Sequence, residues 1–407
     1  MRAGSLSGRA VATTDQRPEW KDGNRYLWVL GALVPAFLFA GWGLVSLTGL
    51  GLFWWMGPIL LYVVIPLLDL AIGTDSSNPP DEMVPWLEQD RWYRWITYAY
   101  LPMEYLSLFA GFWLITHHSG LGLVDKLGIT FTLGAMSGIA INTAHELGHK
   151  KAHVERWLAR VALAPTAYGH FYIEHNRGHH VRVATPEDPA SSRMGETFWA
   201  FLPRTAVGGI RSSWGLERTR LRRMGKRTFS LHNDVLNAWL MTVILLIVLV
   251  VAFGPVVVPY FLLQAAFGSL LLFEAVNYLE HYGLARQSLP NGRWERITPM
   301  HSWNSNNKVT NLLLYHLQRH SDHHANPTRR YQSLRHFDES PQLPSGYAAM
   351  IWLAYLPPLW RKVMDHRVIE HYDGDVTLAH IHPRKRAEVL ARYGAADRSG
   401  SATAPAA

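Results

Sequence analysis

Residues 237–279 read NAWLMTVILLIVLVVAFGPVVVPYFLLQAAFGSLLLFEAVNYL. The run carries one charged residue, Glu274, in a length about twice what a bilayer-spanning helix needs. A Gly-Pro pair at 254–255 breaks it near the middle, so it predicts two spans joined by a tight turn. Immediately after it comes Glu280-His281-Tyr282-Gly283, where the apolar character stops. A helical hairpin in a membrane ending on a histidine is therefore the unit from which the rest is read.

Three further apolar stretches have the same character. Residues 27–72 are again of double length, with a Gly-rich break at 48–51, and residues 95–115 and 124–144 are each of single length. The count is six spans in three hairpins. Of 407 residues, 48% are hydrophobic and only 17% charged, against about 25% charged in an ordinary soluble domain. The expected fold is an all-α integral membrane six-helix bundle with a helical, His-rich cap on the cytoplasmic side.

Lys and Arg placement orients the bundle. Residues 1–26 hold 5, the 73–94 loop 2, the 145–236 loop 15 and the chain after 280 holds 16, while the turns at 48–51, 116–123 and 254–257 hold none. With six spans all four basic segments share one side, expected to be cytoplasmic. The segments then divide as 1–26 cytoplasmic, 27–144 spans one to four, 145–236 a cytoplasmic loop, 237–280 spans five and six, 281–393 a cytoplasmic region and 394–407 a disordered tail or linker. The net charge of +8 follows from this topology. A nucleic-acid partner is not needed to explain it, because no basic-aromatic recognition module is present. Residues 1–26 lack the apolar core of a cleavable signal peptide.

Cysteine is absent and histidine is abundant, with 21 residues. That combination excludes disulfides, Cys-ligated zinc, cysteine-held iron–sulfur clusters and thiolate catalysis within these residues. It leaves nitrogen and oxygen ligands for iron, zinc, copper or nickel. Nine histidines gather in four groups: His145 and His149 in NTAHELGHK, His175, His179 and His180 in IEHNRGHH, His281 in NYLEHYG, and His320, His323 and His324 in LQRHSDHH. All fall on the expected cytoplasmic side, whereas His117 and His118 occupy an opposite turn. The pairs 145/149, 175/179, 320/323 and 320/324 have the three- or four-residue spacing that places side chains on one helix face. Nine imidazoles are too many for one ion, and two ions take about four or five each. The string His145-Glu146-Leu147-Gly148-His149 also fits the H-E-x-x-H of zinc proteases, whose Glu is the general base. Such a site needs three protein ligands and one water and leaves two further histidine groups without a purpose. A metal transporter would want polar groups through the spans, and these are scarce.

Together HELGHK at 145–150, EHNRGHH at 174–180, NYLEHYG at 277–283 and LQRHSDHH at 317–324 resemble the integral-membrane alkane 1-monooxygenases. These belong to the wider three-histidine-box superfamily of membrane desaturases and hydroxylases. The resemblance extends over roughly residues 20–390 and includes PLLD at 66–69, NPP at 78–80, ATPEDPASSRMGE at 184–196, HSWNSN at 301–306 and ANPTRRYQSLR at 325–335. It implies a bacterial inner-membrane enzyme with two iron ions, ligated by the nine histidines, that uses O2 to hydroxylate the terminal methyl of medium-chain n-alkanes drawn from the bilayer. It also implies rubredoxin as electron donor, with rubredoxin reductase and NADH upstream, and a longer natural chain could carry a rubredoxin after residue 407. A fatty acyl desaturase or hydroxylase of the same superfamily is the alternative.

An unactivated C–H bond resists acid–base and nucleophilic chemistry, so the metal must supply the oxidising power. Glu146, Glu174, Glu280 and Asp322 adjoin the histidines and Asp69 lies near a cytoplasmic helix end; these carboxylates are expected to orient imidazoles. Glu104 and Glu274 are further ionisable residues inside spans, where they are costly and usually face a bundle interior. A substrate channel is expected along Gly138, Ile141 and Asn142, on the helix that ends in His145. The resemblance adds Leu61, on the second span, as the side chain that limits chain length.

Overall fold

The computed structural model describes residues 20–394. Of the N-terminal segment 1–26 only its last seven residues, and of the expected tail only Gly394, fall within that range. Among the described residues the chain is helical, with isolated β-bridges and no strand.

The membrane-type helices are α1 (Val34–Thr48), α2 (Gly51–Ile72), α3 (Arg91–His117), α4 (Leu123–Gly148), α7 (Asp234–Phe253) and α8 (Val257–His281). Between α4 and α7 lie α5 (His153–Leu163) and α6 (Phe198–Arg223). After α8 come α9 (Lys308–Leu313), α10 (His320–Ala325), α11 (Tyr347–Ala354) and α12 (Pro357–His371). Four helices, α2, α4, α7 and α8, are long and apolar enough to cross a membrane. The other two expected spans are helical at the expected places but fall short of that requirement. The helix α1 is short, and α3, with 27 residues, is diluted by Tyr, Trp and charged side chains. The breaks expected at 48–51 and 254–255 are present: Gly49 and Gly254 both have positive φ at the ends of α1 and α7.

Helix ends are fixed locally. The Asp90 side chain accepts from the Trp92 amide at the start of α3, and Asn233 accepts from the Val235 and Leu236 amides at the start of α7, satisfying donors that a helix start leaves orphaned. Along α7, Leu240, Val243, Ile244, Ile247, Val248 and Val251 are exposed on one stripe, while Val235, Ala238, Leu245 and Leu249 are buried on the other. An apolar stripe exposed this way suits lipid, and α4, with most of its length buried, is the centre of the bundle. It meets α8 at glycines: a Cβ on Gly268 would lie 2.6 Å from the Gly134 carbonyl oxygen. Only small residues allow helices to approach so closely. Because α4 and α8 end side by side, their C-terminal residues His145, His149 and His281 are brought to one end of the bundle.

Candidate metal centre

The helix α4 delivers His145 and His149 one turn apart, the second as its C-cap. The second histidine group follows on Phe171–Glu174, then His175–His179, which is a π-helical turn, then His180–Arg182. The His180 amide bonds the carbonyl of His175, five residues back. This turn overrides the spacing argument. In an α-helix His175 would share a face with His179, but the wider turn pairs it with His180, and their Nε2 atoms lie 3.0 Å apart. His281 closes α8, and α10 carries His320, His323 and His324.

All nine imidazoles come together, in two adjacent clusters able to hold a metal ion. One contains His145, His149, His175, His180 and His323; the other contains His179, His281, His320 and His324. The pairs 145/149 and 320/324 stay together as the spacing implies, while 175/179 and 320/323 are split. Within the first cluster His180 Nε2 is 3.0 Å from both His175 Nε2 and His323 Nε2; within the second, His320 Nε2 is 2.9 Å from His324 Nε2 and 3.3 Å from His281 Nε2.

The far ring nitrogens explain which way these rings face. His281 Nδ1 donates to the His301 carbonyl at 3.1 Å, His179 Nδ1 lies 2.9 Å from Asp188 Oδ2, and His320 Nδ1 lies 3.2 Å from Glu280 Oε1. A neutral imidazole has one N–H. With Nδ1–H engaged in His179 and His281, the Nε2 atoms of those two rings turn lone pairs toward the cluster they form with His320 and His324. Burial, reinforced by neighbouring imidazoles, pushes His149, His175, His180, His320, His323 and His324 well below the usual histidine range, so they are neutral near pH 7. Converging lone pairs repel unless a cation lies between them. Nitrogens about 2.1 Å from a metal at angles of 90–109° are themselves about 3.0–3.4 Å apart, close to the spacings observed. The donor set therefore fits two ions of the imidazole-binding kind.

Residues 126–354 match the fatty acid desaturase family model. The chain is 47% identical over 379 residues to the alkane 1-monooxygenase of Acinetobacter baylyi, covering 92% of each. It is 44% identical to the alkane 1-monooxygenase of Ectopseudomonas oleovorans, covering 96% of this chain and 97% of the relative. The chain belongs to the alkane 1-monooxygenase family. It is also similar, at 26% identity over 57% of its length, to the hydroxylase component of the Pseudomonas putida xylene/toluene monooxygenase. The protein is thus an oxidoreductase embedded in a membrane.

The carboxylates around the centre divide by what they touch. Glu280 faces His320. Glu146 pairs with Lys150 at 3.0 Å, and Asp322 with Arg329 at 2.6 Å and Asn326 at 2.7 Å, so both tie down the backbone around the histidines without meeting a ring. Glu174 pairs with Arg182 at 2.7 Å, and burial pushes its carboxyl up to about 7. Asp69 accepts from the Thr310 amide at 3.0 Å and from the Thr310 hydroxyl, which anchors α9 to the end of α2. Asp188 escaped the sequence reading. It is fully buried, and although burial raises a carboxyl, His179 and the Ser191 hydroxyl hold it below the usual carboxylate range. Its only signal was its position within ATPEDPASS, nine residues after His179 and not adjacent to it.

Against the clusters lies an almost wholly apolar cavity of about 70 Å3. Leu61, Ile65, Gly138, Asn142, Leu272 and Ile351 form its walls, and His145, His175 and His320 reach it from both clusters. Ile141 is buried but does not line it; Ile139 does. Gly138, Asn142 and His145 repeat at four and three residues and so share the cavity face, whereas Ile141 is turned into the packing of the bundle. Leu61 sits in a second π-helical turn, Leu60–Val64, and Leu272 in a third, Phe267–Phe273.

Proposed function

We propose that this enzyme is a diiron monooxygenase that hydroxylates the terminal methyl of medium-chain n-alkanes at the cytoplasmic face of the bacterial inner membrane, with electrons from rubredoxin. The observation that carries it is the cavity, apolar over almost all of its surface, whose walls include imidazoles of both clusters: a hydrocarbon end placed there meets the metal-binding nitrogens. The two ions, held by His145, His149, His175, His180 and His323 and by His179, His281, His320 and His324, supply O2 activation when bound.

The chain's own residues do the rest. Leu61, Ile65, Leu272 and Ile351 hold the alkyl chain and exclude water, which keeps the oxidising chemistry from being spent on side reactions. Asp188 and the His301 carbonyl fix the orientation of His179 and His281, and the Glu280 carboxylate lies 3.2 Å from His320 Nδ1. A carbon chain dissolved in the bilayer reaches the cavity from the lipid side, and chain length is set by how far the cavity runs past Leu61. One oxygen atom is inserted into the C–H bond and the other leaves as water, which consumes two electrons and two protons. With no cysteine among its residues, the chain has no rubredoxin-type iron site of its own. The groove lined by Arg177, Arg182, Arg204, Arg211, Arg220 and Arg223 suits an acidic electron carrier.

The test is octane oxidation by purified enzyme with rubredoxin, its reductase and NADH. The expected result is 1-octanol with iron near two per chain. A single zinc per chain and no hydroxylation would instead favour the H-E-x-x-H hydrolase. The match to the fatty acid desaturase model favours a second reading, an acyl-chain desaturase or hydroxylase, and product analysis on an acyl lipid against octane separates the two.

A further inference from the structure

Beside the metal centre, on the flank away from α2, lies a second and smaller space of about 20 Å3. Tyr168, His170, Thr205, Gly209, Glu274 and Asn277 line it. It shares Phe171, His175, Phe273 and Asn277 with the substrate cavity, and Pro189 with the arginine-lined groove on its other side. It stands between the two.

The space is sized and equipped for one water molecule, which needs at least about 10–15 Å3 and two to four polar partners. His170 is 3% exposed, and its Nε2 has no partner. That nitrogen faces Gly209, since a Cβ built there would lie 3.8 Å from it. Glu174 Oε2 is a second buried atom left unpartnered at this space. Glu274, 2% exposed, accepts from the Tyr168 hydroxyl, from Thr205 Oγ1 at 3.1 Å and from Asn277 Nδ2 at 3.0 Å. Toward the groove the wall is thin. Gly208 lines the groove and Gly209 the space, so at this point α6 interposes backbone and no side chain.

Hydroxylation consumes two protons for each alkane, yet the surface of the substrate cavity is almost wholly apolar. An ionisable group in a membrane-embedded helix is costly and marks an ion or proton path more often than a structural contact. Glu274 is such a group, and no role in ligation or substrate binding uses it. We propose that the space holds one ordered water molecule bonded to His170 and Glu274, and that this water with Glu274 and Tyr168 carries protons from the arginine-lined groove to the catalytic cavity. A proton arriving from the groove side is taken up by the water, which releases one to the Glu274 carboxylate. Glu274 releases its proton toward the cavity past Asn277, which lines both spaces; the proton ends in the water formed from the second oxygen atom, and Glu274 ends the cycle as the carboxylate it began as. The proposal rests on the monooxygenase reading, which is what requires the protons.

Gly209→Ala tests it without touching a titratable group. The added methyl makes ordinary contact with His170 and clashes with nothing, alanine favours a helix, and the methyl takes up part of a space of only about 20 Å3. The expected variant keeps wild-type iron content and melting temperature, and an experimental density map shows a water at His170 Nε2 in the wild type but not in the variant. Coupled turnover falls about tenfold or more, the solvent deuterium isotope effect rises, and a larger share of O2 is released as peroxide. Glu274→Gln should behave the same way, with Glu274→Asp recovering part of the rate. Gly209→Ala that turns over within about twofold of wild type with an unchanged isotope effect, or that loses iron, overturns the route. Wild-type enzyme that oxidises no alkane refutes the monooxygenase reading instead.

Discussion

His179 Nδ1 and Asp188 Oδ2 lie 2.9 Å apart, both fully buried, nine residues apart in sequence. The contact leaves His179 Nε2 as the free nitrogen, and that atom has no protein partner. Asp188 also receives the Ser191 hydroxyl at 2.6 Å, so its own position is fixed. Asp188→Ala should weaken metal binding about 10–100-fold and lower activity accordingly. Iron content after dialysis against a chelator measures it, and content equal to wild type would sink the assignment.

His323 and His324 are neighbours in sequence but belong to different clusters. Replacing either with Ala should lower iron from about two to about one per chain, and the ion lost should differ, because the remaining ligands hold the other metal. Mössbauer or other iron spectroscopy on the two variants should give distinct residual signals. Identical residual signals would mean that the ions share these ligands.

Leu61 stands in the wall of a cavity of only about 70 Å3. A cavity of about 150 Å3 accommodates benzene, so a hydrocarbon chain must open this one and extend along it. Leu61→Trp should leave short alkanes as substrates and reduce oxidation of longer ones by about tenfold or more, the effect of one bad steric contact in a specificity pocket. Competition between octane and dodecane in one reaction reads the shift. Unchanged product ratios would remove Leu61 from the substrate path.

Asp69 anchors Thr310 and therefore α9, whose Thr310 and Leu313 also line the cavity. Removing it leaves a buried amide and hydroxyl without an acceptor, a loss of about 1–3 kcal/mol. Asp69→Ala should lower the melting temperature while iron stays near two per chain, since Asp69 touches no imidazole. Loss of iron with unchanged melting temperature would show that its role is at the metal.

The gathering of the nine histidines was legible because they come in spaced groups near the ends of apolar runs. HELGHK and LQRHSDHH declare themselves by composition. The pairing of His175 did not, because i and i+4 spacing presumes an α-helix and the turn over His175–His179 is π-helical. Six helices stand where the apolar stretches predict spans, but only α2, α4, α7 and α8 have the length and apolarity to cross a membrane, and α1 and α3 fall short. Ile141 stands apart from the cavity for a simpler reason: a helix has several buried faces, and apolarity does not tell the cavity-lining one from the others.

By itself, then, the sequence determined a membrane-embedded helical chain with nine histidines at helix ends and no thiol, because hydrophobic runs and ligand types are local properties. Tertiary structure alone decided the division of those histidines into five and four, the partnership of His179 with Asp188, and the placing of Glu274 on a small space that shares residues with both the groove and the apolar cavity. These depend on the Gly134–Gly268 crossing and on one π-helical turn, which set distances between segments that no local pattern encodes.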